Sequence, residues 1–173
     1  MAAIVIDGEE VPLESVYGDV EPIPIRPIGY VARGDAGDGE RPSGDVSEIR
    51  LLPGMARFMQ GLEDESRILV LWHFDRARPP TSVFPRGWDG KEVGMFASRT
   101  PHRLTPIGAT EVELLAVRGT TLLVRGLEAF DRTPVLDIKV AMRSLREGGR
   151  RGRQPDADES RSGAERKTSR DPR

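Results

Sequence analysis

The sequence contains no cysteine, and this absence removes several kinds of chemistry at once. The 173 residues include no Cys and only two His. Disulfides, thiolate nucleophiles, iron–sulfur clusters and cysteine-based zinc sites are therefore excluded, and two histidines are too few for a histidine-based metal site. We expect no bound metal, so any chemistry must use carboxylates, arginines, hydroxyl groups and the backbone.

Long apolar segments are also missing. No run approaches the roughly 18–20 residues of a membrane-spanning helix, and Met1–Asp19 does not have the charged-then-apolar layout of a signal peptide. We therefore expect a cytoplasmic protein with no membrane partner. Only 37% of residues are hydrophobic and 31% are charged, so a packed core cannot extend along the whole chain.

The charge is divided unevenly along the chain. Residues 146–173 hold nine basic and six acidic side chains, and their only apolar residues are Ala157 and Ala164. Burial cannot offset the entropy of ordering such a segment, which predicts a disordered basic tail. We predict an N-terminal hairpin extension over residues 1–24, a folded domain over residues 25–145, and this tail.

Short apolar or alternating runs, separated by Gly, Pro or charged turns, dominate the folded part. They span residues 28–32, 48–52, 68–74, 93–97, 111–117, 121–127 and 135–140. Asp7-Gly8 between two further short runs is typical of a type I′ hairpin. The stretches 33–45 and 76–91 are predicted to be irregular. The pattern favours a mainly β fold, a small antiparallel β-barrel with one or two short helices.

One segment has helical spacing, because Met55, Phe58, Met59 and Leu62 recur at the interval of a helix face. We interpret this stripe as a packing surface. No strand–glycine–helix dinucleotide motif, phosphate-binding loop, serine elbow or zinc-binding His motif is present.

A strand that ends in a stiffened loop is the most specific feature of the sequence. Val93–Gly108 reads VGMFASRTPHRLTPIG, which delivers Ser98 and Arg99 into a loop that contains Pro101 and Pro106. Proline fixes φ, so such a loop can hold an arginine in a defined place.

Three further segments accompany it in order along the chain. They are IRPIGYV (Ile25–Val31), GLEDESRILVLWHFDRA (Gly61–Ala77) and AFDRTPVLDIK (Ala129–Lys139). With Val93–Gly108 they resemble the motifs of the TrmO/TsaA-like family, and the resemblance covers residues 25–142. It implies an S-adenosylmethionine-dependent methyltransferase on a small β-barrel, acting as a homodimer with the cofactor near the subunit interface. The typical family substrate is the exocyclic nitrogen of a threonylcarbamoyl-modified adenosine beside the tRNA anticodon.

Position by position, the resemblance implies a cofactor site. Its residues are Ser43, Gly44, Asp45, Asp75, Arg76, Arg99, Ala109, Arg125, Gly126, Leu127 and Glu128. An arginine is the natural partner of the cofactor's carboxylate. A general base could remove the acceptor proton, and Asp75 and Asp131 are both candidates for this role.

The sequence departs from the family pattern mainly in loops. Thr105 stands where the family has Asn, and Arg132 stands where it has Gly. Two other functions therefore remain open besides the tRNA anticodon loop as substrate. One is methylation of a small metabolite or natural product. The other is a non-catalytic regulator that binds the cofactor.

Overall fold

Alternation of apolar and polar side chains along the chain produces a mainly β structure. The computed structural model describes residues 3–33 and 46–142. Ten strands lie in these residues: β1 (Ala3–Ile6), β2 (Glu9–Pro12), β3 (Gly29–Ala32), β4 (Val46–Leu51), β5 (Arg67–His73), β6 (Val83–Pro85), β7 (Glu92–Gly94), β8 (Ile107–Arg118), β9 (Thr121–Arg125) and β10 (Pro134–Val140).

Six of these strands form a closed barrel in the order β10-β3-β4-β9-β8-β5. Every neighbouring pair is antiparallel. Closure leaves no unpaired edge in this sheet, so the backbone N–H and C=O groups of every strand can form hydrogen bonds with a neighbouring strand. The predicted small antiparallel barrel is confirmed, whereas the predicted tail lies outside the described residues.

The barrel interior is filled by alternate residues of its strands. Along β5, Ile68, Val70 and Trp72 point inward and are buried, while the residues between them are half-buried. Leu122 and Val124 of β9 belong to the same buried core cluster. Burying a side chain of this size contributes about 1.5–3 kcal/mol, so this alternation explains why these segments are strands.

Helical structure is short. The one α-helix in the described residues is α1 (Leu13–Tyr17), and no described helix is long and apolar enough to cross a membrane. The segment with helical spacing, residues 55–62, does not form one continuous α-helix but overlaps two 3₁₀ segments, Pro53–Phe58 and Leu62–Asp64. Gly61 lies between them with φ of 82°, a left-handed conformation that ends the helical path.

The packing stripe predicted on that segment is therefore only partly correct. Met59 is buried, and Met55 and Leu62 pack against the core. Phe58 is 73% exposed. A 3₁₀ helix has three residues per turn, so it does not place these four side chains on one face.

The predicted N-terminal hairpin is confirmed, and it contacts a distant loop. Asp7 and Gly8 both have positive φ, as a type I′ turn requires. The backbone N–H of Ser82 donates to Asp7 Oδ1 at 2.8 Å, and the Asp7 N–H donates to the Pro80 carbonyl at 3.2 Å. The Tyr17 hydroxyl donates to the Leu104 carbonyl at 3.4 Å. The extension therefore supports the loop that follows β5.

Residues 74–106, the β5–β8 connection, leave the barrel and return to it. The stretch 76–91 was predicted to be irregular, but β6 within it pairs with β7 as a short hairpin. The strand predicted over residues 93–97 ends at Gly94, and Met95–Ala97 forms a 3₁₀ turn. Only three residues of each strand pair, so no periodic signal marks β6 in the sequence.

Candidate functional site

A large open cleft lies where β5 ends and β8 begins. Its volume is about 1060 Å³, which is at the upper end of the range for small-molecule sites. It is lined by Trp72, Phe74, Arg99, Pro101, Arg103, Ile107, Gly108, Ala109, Thr110, Glu111, Gly126, Leu127, Glu128 and Phe130. We call it the main cleft.

The register of β5 against β8 builds one wall of the main cleft. Trp72 faces Gly108 across the two strands, and its indole N–H donates to Thr110 Oγ1 at 3.3 Å. A Cβ on Gly108 would lie 2.4 Å from the Trp72 ring. Phe74 packs beside Trp72, with ring centroids 4.3 Å apart and ring planes tilted by 60°. The absence of a side chain at residue 108 is therefore what lets the indole lie flat against β8.

A second wall is the segment 126–130, which follows β9. Gly126 has φ of 88°, so the chain turns sharply out of the strand. Arg33 holds this segment: its Nε donates to the Ala129 carbonyl at 2.9 Å, and its Nη2 donates to the Leu127 carbonyl. Burial lowers the pKa of the Arg33 guanidinium from its ordinary value, and the Asp131 carboxylate acts in the opposite direction. A guanidinium is still charged at any physiological pH.

The loop 98–106 forms the third wall and is fastened by its own hydrogen bonds. The Ser98 hydroxyl donates to the Met95 carbonyl at 2.8 Å, and the Thr100 N–H donates to the Ser98 hydroxyl at 3.3 Å. The Arg78 N–H donates to His102 Nδ1 at 3.0 Å, which requires that nitrogen to be unprotonated. These bonds hold the backbone on either side of Arg99.

The main cleft contains charges of both signs. Arg99 and Arg103 come from the loop 98–106, while Glu111 comes from β8 and Glu128 from the segment 126–130. Across residues 3–33 and 46–142, neither guanidinium has a hydrogen-bond or ion-pair partner. A guanidinium is a bidentate donor to carboxylate or phosphate. The cleft is therefore suited to a ligand that carries an anionic group together with other polar groups.

Five residues of the predicted cofactor site are brought together here. They are Arg99, Ala109, Gly126, Leu127 and Glu128, which come from three separate parts of the chain. Arg125 instead points its Nη1 to the Glu113 carboxylate at 2.7 Å. Ser43, Gly44 and Asp45 lie outside the described residues. The cofactor role of all these residues stays a prediction.

The two candidate bases lie beside the main cleft, each next to an aromatic residue that lines it. Asp75 follows Phe74, and its Oδ1 accepts from the buried Thr133 hydroxyl at 3.2 Å. Asp131 follows Phe130, and its Oδ1 accepts the Arg33 N–H at 2.8 Å. Arg76 joins them, because its guanidinium donates to the Asp131 carbonyl at 3.0 Å.

Sequence reasoning missed the role of Arg33. Its hydrogen-bond partners are 94 to 98 residues away along the chain, so no local pattern identifies it. Trp72 is buried, and both Trp72 and Phe74 line the main cleft.

These features define a class of protein: a closed six-stranded barrel with a polar and aromatic cleft at the end of its longest strands. The family model for the tRNA-methyltransferase O N-terminal domain matches residues 30–145. The chain belongs to this family.

Archaeal relatives are similar over different shares of their length. A probable S-adenosyl-L-methionine-binding protein of Methanothermobacter thermautotrophicus is 43% identical over 123 residues, which are 68% of this chain and 88% of that protein. A protein of the same description from Archaeoglobus fulgidus is 40% identical over 97 residues, 56% of this chain and 26% of that protein.

Longer proteins match as well. The mouse tRNA (adenine(37)-N6)-methyltransferase is 36% identical over 84 residues, 47% of this chain and 20% of that protein. The crystal structure of TrmO from Pseudomonas aeruginosa aligns with a TM-score of 0.58 at 26% identity, and covers 81% of this chain and 61% of that one. The chain thus spans about a fifth of the mouse protein and three fifths of the bacterial one.

Proposed function

We propose that the chain is a methyltransferase that binds S-adenosylmethionine in the main cleft. The acceptor is the exocyclic nitrogen of a threonylcarbamoyl-modified adenosine beside the tRNA anticodon. One observation carries the proposal: two guanidinium groups, which have no partner among residues 3–33 and 46–142, face a cleft of about 1060 Å³ whose other walls supply carboxylates and aromatic rings. Family membership and the printed names of the relatives support the choice of ligand.

The residues of the cleft fit the chemical groups of this cofactor. Arg99 pairs with the α-carboxylate, and Arg103 lies on the same loop to reinforce that charge. Glu128 accepts hydrogen bonds from the ribose hydroxyls, while Gly126 and Leu127 offer backbone groups to the adenine. Ala109 has a small side chain and leaves room on the β8 wall. The bound cofactor supplies a methyl group on a positively charged sulfur, and carboxylates nearby tolerate that charge.

The contribution of the protein to the rate is mainly positioning. Displacement at the methyl carbon needs the acceptor nitrogen in line with the bond that breaks, and holding two reactants in place can supply most of the acceleration. We assign Asp75 as the base that takes the acceptor proton as the nitrogen gains its methyl group. Asp131 is assigned a positioning role, because its Oδ1 accepts the Arg33 N–H at 2.8 Å, whereas Asp75 Oδ1 accepts only the longer hydrogen bond of 3.2 Å from the Thr133 hydroxyl.

We also propose that the chain acts as a homodimer in the cytoplasm, where it meets tRNA. Three exposed apolar residues between α1 and β3, Val20, Ile23 and Ile25, support an interface. Light scattering of the purified chain at several concentrations tests this state directly.

Calorimetric titration with S-adenosylmethionine and S-adenosylhomocysteine tests the cofactor site. We expect both to bind, and we expect Arg99→Ala to lose ~1.5–3 kcal/mol, or about 10- to 150-fold in Kd, as for a charged hydrogen bond. Arg118→Ala is the matched control, because Arg118 is exposed at the far end of β8. Equal affinity of Arg99→Ala and the wild type would overturn the assignment.

Transfer of labelled methyl groups then tests the acceptor. We expect label in tRNA that carries threonylcarbamoyl-adenosine and none in tRNA from cells that lack this modification. Label in small molecules of a cell extract, with none in tRNA, would instead assign a metabolite acceptor. Binding of both cofactor forms without transfer to any acceptor would identify a non-catalytic regulator.

A further inference from the structure

A second cavity lies beside the main cleft, between the β6–β7 hairpin and the loop after β7. Its volume is about 550 Å³. It is lined by Phe84, Arg86, Gly87, Trp88, Phe96, Ala97, Ser98, Arg99 and Thr100. We call it the hairpin pocket. None of its residues belongs to the barrel, so its role is separate from packing of the core.

Two aromatic side chains of the hairpin pocket face solvent. Trp88 is 78% exposed and Phe96 is 82% exposed. Exposing two large aromatic groups beside one cavity forgoes the free energy of burying them, and such patches usually mark binding surfaces. Flat rings with an open face are the surfaces on which single-stranded nucleic acids stack their bases.

Trp88 is held in place although it is exposed. The guanidinium carbon of Arg86 lies 4.6 Å from the centroid of the Trp88 ring, and Arg86 Nε donates to Asp89 Oδ1 at 3.0 Å. The Arg86 N–H donates to the Lys91 carbonyl at 2.9 Å, and the Gly90 N–H donates to the Arg86 carbonyl at 2.8 Å. The hairpin turn is therefore closed, which reduces the entropy lost when a ligand binds.

The hairpin pocket and the main cleft share one residue. Arg99 lines both cavities. A group bound against Trp88 and Phe96 is thus a neighbour of whatever Arg99 holds in the main cleft. Methyl transfer requires donor and acceptor to lie side by side, so a pocket adjoining the cofactor cleft is in the right place for the acceptor.

The local charge suits a phosphate backbone. Residues 82–103 hold four basic side chains, Arg86, Lys91, Arg99 and Arg103, and two acidic ones, Asp89 and Glu92. The chain as a whole has a net charge of −2. A locally basic surface with exposed aromatic rings in an acidic protein is typical of a nucleic-acid contact.

We propose that the hairpin pocket receives the acceptor base, a purine turned out of a single-stranded loop and held against Trp88 and Phe96. This inference rests on the function proposed above and adds where the base binds and which residues select it. Trp88 and Phe96 act as specificity-determining residues, because they select a flat base and leave cofactor binding to the main cleft.

Substitutions of the two aromatic residues test the proposal. We expect Trp88→Ala and Phe96→Ala each to raise KM for an anticodon stem-loop RNA by about 5- to 150-fold, the equivalent of one lost base stack. Trp88→Phe retains a ring and should recover most of the affinity. Phe58→Ala is the matched control, because Phe58 is 73% exposed but lines neither cavity.

Two further readouts separate binding from chemistry. Trp88 is the exposed tryptophan and Trp72 is buried. Titration with the same RNA should therefore quench the tryptophan fluorescence of the wild type and leave the fluorescence of Trp88→Ala unchanged. The Kd for S-adenosylmethionine should stay within twofold in all four variants, and thermal unfolding should be unaltered because these side chains are exposed.

Each outcome decides between explanations. Unchanged KM and quenching in both alanine variants would overturn the proposal while the methyltransferase function stands. A change in oligomeric state in either variant would show that a second copy of the chain covers this pocket, which also overturns it. If the wild type failed to bind S-adenosylmethionine, the proposed function would fail. Quenching by RNA would then still report whether the pocket stacks a base.

Discussion

The two cavities differ in how their walls are held, although Arg99 belongs to both. In the main cleft, Trp72, Gly108 and Gly126 are positioned by the register of barrel strands or by a turn directly after one. The hairpin pocket is built on strands of three residues outside the barrel, and its aromatic rings face solvent. A substitution in a wall that is part of the core lowers the stability of the fold, whereas a substitution in an exposed loop need not.

This difference has a consequence for function. The main cleft depends on packing, so its shape should persist in any sequence that closes the same barrel. The departures from the family pattern at Thr105 and Arg132 lie at exposed positions outside the strands. We therefore expect cofactor binding to be common to the family and acceptor choice to vary within it.

The largest expected effect lies where the two regions meet. Asp75 directly follows Phe74, which lines the main cleft at the start of the β5–β8 connection. We expect Asp75→Asn to lower kcat by about 100-fold or more, the usual contribution of a general base, with little change in the Kd for the cofactor. Single-turnover kinetics on tRNA measures this.

Asp131→Asn is the comparison for Asp75→Asn. An amide oxygen at residue 131 still accepts a hydrogen bond from the Arg33 N–H, so we expect kcat to fall only severalfold. If Asp131→Asn proved the more damaging of the two, the roles assigned to these carboxylates would have to be exchanged.

Gly108→Ala should test the packed wall most severely. Its Cβ would lie 2.4 Å from Trp72 Cε2 and within 2.8 Å of two further atoms of the indole, so the ring would have to move out of its place on the wall. We expect a loss of about 2 kcal/mol in the free energy of unfolding and a lower Tm, as for other overpacked cores. Denaturant unfolding measures this, and Gly54→Ala is the control because no heavy atom lies within 4 Å of its Cβ position. Equal free energies of unfolding for the two variants would contradict the expected clash between a side chain at residue 108 and Trp72.

Arg33→Met should loosen one wall of the main cleft and leave the barrel closed. The substitution removes donors to the carbonyls of Leu127 and Ala129, both of which are buried residues. Unsatisfied buried acceptors cost about 1–2 kcal/mol each. We expect weaker cofactor binding as well as lower stability, measured by calorimetry and denaturant unfolding. Arg50→Met, at an exposed arginine, should change neither.

The smallest effect concerns the N-terminal hairpin and its support of the connection. Hydrogen bonds from the Ser82 hydroxyl and N–H lower the pKa of Asp7. A lowered pKa means that this contact stabilises the folded state at neutral pH. The contribution is lost as the pH falls through the folded-state value. We expect the Ser82 amide to exchange hydrogen faster in Asp7→Ala than in the wild type. Glu10→Ala in the same hairpin should not alter the rate.

Local sequence was sufficient to predict a secondary-structure element wherever one face of a strand is buried. The alternation in β5 and β9 and the Asp7-Gly8 turn predicted elements that the structure contains. It was insufficient where an element is too short to show a period, as in β6, or where one residue interrupts the pattern, as Gly61 does. For this second reason the helical spacing over residues 55–62 corresponds to two 3₁₀ segments and not to one α-helix.

The sequence by itself determined the barrel and the family, because hydrophobic alternation and ordered motifs are local properties of the chain. Only the tertiary structure decided what surrounds the cleft. Arg33 reaches carbonyls more than ninety residues away, and Arg99 becomes the residue common to two cavities. Contacts of this kind depend on how the barrel closes and where its connections return, and neither is encoded in any short stretch of residues.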